Sequence, residues 1–215
     1  MAITRPARPI PGVVERLAAW ALGVRATEIA PAAVTQDKLL LLDTIGCGFA
    51  ALHEESARAL LAVVDISGGK PQCTVIGRGE LTSAANATLA NGALVRILDF
   101  NDYVNAKAGD LGGHPSDNIP VALAAGELTA ATGIEIIAAI VVGYEIFGRC
   151  KDLMERDSAW DGVTVSGLAA PAMAGRPAIT RGVRRPWNGR PPRRRPATIF
   201  GTCRSLPARR SVIKA

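Results

Sequence analysis

Apolar residues recur at helical spacing along most of residues 12–175. Val13, Val14, Leu17, Ala18 and Leu22 share one face before the pattern breaks near Gly23, which predicts a short amphipathic helix. A second helix is predicted from about Pro31, with Thr35 and Asp37 in its early turns, through Leu39 to Leu42, Ile45 and Phe49. Gly46, Cys47, Gly48, Ala50 and Ala51 make one side of it small, so a neighbouring helix can come close, and it is placed in the core. Glu55 to Ile66 reads as a third helix stopped by Gly68 and Gly69, and Cys73 to Ile76 as a short β-like run.

Ser83 suits the N-cap of a helix from Ala84 to about Leu98. Phe100 to His114 then holds two Asp, two Asn, three Gly and one Lys and cannot continue an apolar stripe, so it reads as a polar loop. Ser116 or Asp117 is expected to cap a helix from Ile119 to about Ala131. Gly133 separates that helix from one over Ile134 to Leu153, and Ser166 to Ala174 begins the last. The expected fold class is all-α, a helical array interrupted by one conspicuous polar loop.

Composition agrees, with 48% hydrophobic, 20% charged and only 4% aromatic residues favouring helices packed through small side chains over a sheet sandwich. The longest apolar stretch, Ile134 to Phe147, carries Glu135 and Glu145 and is too short for a bilayer, so it reads as a buried helix. Met1 to Pro11 lacks the apolar segment of a secretory signal and is taken as an N-terminal extension. Cys47, Cys73, Cys150 and Cys203 lie far apart without paired spacing, which points to reduced thiols in a cytosolic protein.

Charge divides the chain in two. Residues 176–215 hold eleven Arg, one Lys, six Pro and no acid, leaving thirteen basic against nineteen acidic side chains in residues 1–175, a net charge of −6 there. The basic overall balance therefore says nothing about the helical body. The tail lacks an apolar period and is expected to be disordered. A phosphate-binding arm for nucleic acid is one reading of it. A reading-frame shift in a GC-rich gene, which yields Arg, Pro, Ala and Gly, is favoured. The domain division expected is 1–11, 12–175 and 176–215.

Only two histidines are available for acid/base work. His53 follows Phe49 to Leu52 at a helix end and suits a capping or surface role. His114 lies between Gly112-Gly113 and Pro115-Ser116-Asp117-Asn118, at the start of a predicted helix, where free N–H groups and the dipole attract anions. Asp99-Phe100-Asn101-Asp102 places two carboxylates just past a helix C-terminus, which the dipole disfavours. That cost suggests a role, and a solvated helix end is the plainer alternative.

Asn91-Gly92-Ala93, Leu98 to Asp102, a Gly-containing loop, and His114 to Asn118 together resemble the signature of the 2-methylcitrate dehydratase (MmgE/PrpD) family, which includes cis-aconitate decarboxylase and an iminodisuccinate epimerase. Leu42 to Cys47, Gly143 to Ile146 and Thr164 to Gly167 extend the resemblance over about residues 10–176. It implies a helical domain bearing most of the active site, followed in full-length members by a smaller α/β domain. It also implies homodimers, no metal or organic cofactor, and chemistry on small polycarboxylates: loss of water, loss of carbon dioxide or inversion next to a carboxylate. By position in the motif, Asp99 and His114 match the catalytic pair, and Asn101, Asp102, Tyr103 and Ser116 are candidate substrate contacts. Tyr103 stands where Thr is common, and the loop Val104 to Gly113 is longer than usual. A second active-site histidine carried by many members is absent, with Asp161 or Gly162 near its place. The substrate-clamping lysines of the family lie beyond the point where this chain becomes Arg/Pro-rich. The chain is thus expected to be a truncated, weak or inactive lyase, with exposed apolar surface where further sequence would pack. A non-catalytic module, a decoy subunit, or a nucleic-acid-binding protein acting through the tail are the alternatives.

Overall fold

The computed structural model describes residues 12–106, 109–154 and 161–180. Seven helices are found among them: α1 (Val13–Gly23), α2 (Pro31–Ala50), α3 (Glu55–Ser67), α4 (Ala84–Arg96), α5 (Ile119–Thr129), α6 (Gly133–Asp152) and α7 (Ser166–Thr180). Two small antiparallel hairpins interrupt them, β1 (Cys73–Thr74) with β2 (Leu81–Thr82), and β3 (Val104–Ala106) with β4 (Gly109–Gly113). The architecture is all-α, as the apolar periodicity predicts.

Local chemistry sets most of the boundaries. The Ser83 side chain accepts from the Asn86 amide at 3.2 Å and starts α4 as expected. Before α6, Thr132 and Glu135 form a reciprocal capping box, so the helix begins at Gly133, the residue read as its separator. The expected caps of α5 are not used: Asn118 occupies the N-cap position after a 3-10 turn over Pro115–Asn118, its side chain donating to the Pro115 carbonyl and to Ser166 Oγ rather than capping the helix. Ser116 and Asp117 turn instead toward Asn101.

The core falls into several clusters of buried side chains. Leu61 and Val64 of α3, Leu94 and Val95 of α4, and Ile76 after β1 form one cluster. Ile119 and Leu123 of α5, Ile136 and Ile140 of α6, and Met173 of α7 form another, each apolar side chain contributing on the order of 1.5–3 kcal/mol when fully buried. A third cluster joins Ala21 of α1 to Val142, Ile146 and Phe147 of α6. Gly143 permits the close α6–α7 approach, because a Cβ there would stand 1.9 Å from Met173 Cε. α2 is only partly the core helix its small residues suggest. It buries Asp37, Thr44, Cys47 and Gly48, while Leu39 and Leu42 on other faces are exposed.

α4 is tied to β1 through one buried amide. Asn91 Oδ1 accepts from the Ile76 amide at 2.8 Å and Asn91 Nδ2 donates to the Thr74 carbonyl at 2.9 Å. Asn91→Ala is expected to lower the unfolding free energy by about 2 kcal/mol, since it strands two buried backbone groups. Urea denaturation checks this, and an unchanged midpoint would show that the tie contributes nothing.

α7 continues past Gly175, where the composition changes, and Arg176 and Pro177 are buried on it. Arg176 Nη2 donates to the Val24 carbonyl at the end of α1. The expected extension at 1–11, the Trp160 region and the tail from 181 onward lie outside the described residues. Cys47, Cys73 and Cys150 are free thiols, and none of the described helices is long and apolar enough to cross a membrane.

Candidate active site

The polar loop after α4 is folded rather than extended. Val104 pairs with Gly113 and Ala106 with Gly109, so the hairpin β3–β4 returns the chain to the point where it left α4. Residues 99–103 and 114–117, fifteen positions apart in sequence, are thereby brought side by side. Sequence reading missed the hairpin because its strands are rich in Gly and lack apolar alternation.

At the surface of this junction stands Asp99. Its backbone is left-handed, with φ of 55°, a conformation that Asp tolerates better than most residues with a Cβ. The turn is closed by the Asp99 amide donating to the Arg96 carbonyl at 3.0 Å. Its carboxylate is exposed and paired with Arg96 Nη1 at 2.7 Å, and the same oxygen, Oδ1, lies 3.6 Å from His114 Nε2. At that separation the imidazole and carboxylate attract when His114 is protonated, but they stand beyond hydrogen-bond distance of each other. His114 itself is mostly buried, with Nδ1 enclosed and without a partner. The Tyr103 ring meets the imidazole edge-on at 5.1 Å between centroids. Gly112 makes room for that ring, because a Cβ there would lie 2.4 Å from Tyr103 Cε1.

Behind this pair runs a buried polar row. Asn101 Nδ2 donates to Ser116 Oγ at 2.8 Å and to Asp117 Oδ1 at 2.9 Å. Asp102 accepts from the Ser116 amide at 3.2 Å through Oδ1 and from the Tyr144 hydroxyl at 3.0 Å through Oδ2. Asn101 Oδ1 is buried with no partner among the described residues. Burial raises the Asp117 carboxyl above the ordinary carboxylate range despite the opposing Asn101 bond and the Arg96 charge. Burial, with the charge of Asp102, likewise pushes the Tyr144 phenol well upward, so Tyr144 remains a donor to Asp102.

The six expected residues therefore fall into two sets. Asp99, His114 and Tyr103 meet at the accessible end. Asn101, Asp102 and Ser116 bond to one another and to α6, holding the two ends of the loop together. Three further residues escaped sequence reading. Arg96 looks like an ordinary cation in a last helical turn. Tyr144 stood only within a matched motif. Lys151 drew no notice in sequence near the end of its helix, yet it is buried, with an ammonium that has no hydrogen-bond partner among the described residues.

The fold is an all-α domain in which one folded-back loop holds a carboxylate beside an imidazole. The chain belongs to the MmgE/PrpD family: the model of the MmgE/PrpD N-terminal domain matches residues 15–178. Among curated relatives, the chain is 26% identical over 179 residues to a cis-aconitate decarboxylase-like protein of Aspergillus oryzae, covering 77% of this chain and 36% of that one. It is 26% identical over 173 residues to the cis-aconitate decarboxylase of Mus musculus, covering 74% of this chain and 34% of the relative. With the 2-methylcitrate dehydratase of Escherichia coli it shares 30% identity over 119 residues, 50% of this chain and 24% of that enzyme. The chain thus spans about a third of the length of the first two.

Proposed function

We propose that the Asp99–His114 site serves a lyase that removes water from a small polycarboxylate, in an intact enzyme of which these residues are the helical part. The observation that carries this reading is the Asp99 carboxylate standing 3.6 Å from His114 Nε2 with Arg96 on its other side. One of the pair takes the proton from a carbon next to a carboxylate. The C–H electrons form the new double bond, and the hydroxyl leaves as water with a proton from the other. Arg96 supplies positive charge where negative charge gathers in that step. The dehydratases among the relatives support the reading. With it go the other expectations of the resemblance: a homodimeric, cytosolic enzyme that needs no metal or organic cofactor.

Loss of carbon dioxide is the second reading, favoured by the decarboxylases among the relatives that match the most residues. Both pass through a carbanion-like species: dehydration forms it by proton loss and resolves it by expelling the hydroxyl, whereas decarboxylation forms it by breaking the bond to carbon dioxide and resolves it by taking up a proton.

The test follows proton NMR of the full chain with di- and tricarboxylates in D2O. Exchange of the proton next to a carboxylate, with growth of an olefinic signal, is the result expected for dehydration, and release of labelled carbon dioxide marks the second reading. If every polycarboxylate keeps its protons also in a full-length enzyme in which residues 12–175 are joined to the C-terminal part of a family member, the substrate class is wrong.

A further inference from the structure

Lys151 lies in the last turn of α6, where a lysine ordinarily reaches into water and complements the helix dipole. Here it is 1% exposed, and Nζ is enclosed without a hydrogen-bond partner among the described residues. Lysine is almost never fully buried unless it is paired. The Phe147 ring, its centroid 5.9 Å from Nζ, is at the outer limit of a cation–π contact and cannot replace an anion.

The backbone around this ammonium is cut away by two glycines. A Cβ on Gly113, the residue before His114, would lie 3.3 Å from Lys151 Cε and 2.9 Å from Phe147 Cζ. A Cβ on Gly162 would lie 2.3 Å from Nζ and 3.1 Å from the Gly112 carbonyl oxygen. The ammonium therefore sits between the end of β4 and the 3-10 turn Gly162–Val165, next to the chain that carries His114. It occupies the space a side chain at position 162 would take, near the place where the family resemblance expects a second histidine. Asp161 is the neighbouring acid, but its Oδ1 is used to cap that turn by accepting from the Val163 amide at 2.9 Å. Burial lowers the Lys151 pKa from its ordinary value, and the Asp161 charge opposes this.

We propose that Lys151 is the carboxylate-binding cation of this site, its ammonium pairing with one carboxylate of the substrate while His114 and Asp99 work beside it. This rests on the polycarboxylate reading above. A charge held in the interior without a counter-ion weakens the fold, and it is retained where an arriving anion completes the pair. A lysine kept only for packing gains nothing over methionine, which has the same unbranched reach and no charge to desolvate.

The experiment titrates the full chain by calorimetry with tricarballylate, a tricarboxylate that has no hydroxyl to lose, and separately with sulfate. The wild type is compared with Lys151→Met, which removes the charge, and Gly162→Ala, which keeps the charge but fills its space. Tricarballylate affinity is expected to fall at least about tenfold in both variants, and Lys151→Met is expected to melt at a higher temperature than the wild type. If Lys151→Met binds as tightly as the wild type, or melts lower, the lysine is structural and the proposal is overturned, while the Asp99–His114 reading stands. If the wild type binds sulfate but no tricarboxylate, and Lys151→Met loses the sulfate, the cation site holds and the polycarboxylate reading falls. Binding of neither anion overturns the proposal.

Discussion

His114→Gln is expected to slow turnover, or exchange of the proton next to the substrate carboxylate, by roughly 10²–10⁴-fold, the range for loss of a general acid or base. Glutamine fills much of the imidazole volume and keeps a polar end, but it neither accepts nor releases a proton near neutral pH. The fold should survive, because the imidazole's contact with the Tyr103 edge and its 3.6 Å approach to Asp99 are not hydrogen bonds that hold the loop. Loss of the ring pair is worth about 1 kcal/mol. Asp99→Asn is the matching variant for the partner. Asn accepts the left-handed backbone that Asp99 adopts, whereas Ala would add strain at φ of 55° and confuse a catalytic loss with a structural one. If the two residues handle one proton together, the double variant loses little more than either single one. Full activity in His114→Gln, with an unchanged melting temperature, would falsify the catalytic assignment.

Helices and their starts were readable because they follow from local rules. Ser83 caps α4 through the bond its residue type prefers, and α3 stops where Gly68 takes a positive φ of 60°. Asp99 and His114 stood out as titratable groups in polar surroundings, and the resemblance joined them. What stayed hidden depends on chain crossings that no local pattern records. Ser116 and Asp117 resemble N-caps in sequence, but Asn101 claims both side chains once the hairpin closes. Leu39 and Leu42 read as core on α2, yet the helices that pack against it touch its other sides. Lys151 is buried because Gly113, thirty-eight positions before it, and Gly162, eleven positions after it, lack the Cβ atoms that would displace it.

Asp37 gives the chain a pH-dependent weakness that Asp37→Asn should remove. The carboxyl sits on α2, 5% exposed, with Oδ2 buried and unpartnered. Burial raises its pKa from 3.8 to about 7. In the unfolded chain it releases its proton near the ordinary value, whereas in the folded chain it holds the proton up to about pH 7. Between those values the folded state binds more protons than the unfolded state, so stability falls as pH rises across the window and levels off above it. At ~1.4 kcal/mol per pKa unit the full loss approaches about 4 kcal/mol. Asparagine carries no charge at any of these pH values, but its amide N–H groups meet the same lack of partners, which returns about 1–3 kcal/mol of the gain. Urea unfolding should therefore find Asp37→Asn less stable than the wild type at pH 4 and more stable at pH 8, with the difference changing steadily between them. The effect reaches the site through Tyr144, whose phenol feels the charges of both Asp37 and Asp102. Protonation of Asp37 removes one of those two charges from the surroundings of Tyr144. Parallel stability curves for the two proteins would show that Asp37 has ionised already at pH 4 and that burial does not govern it.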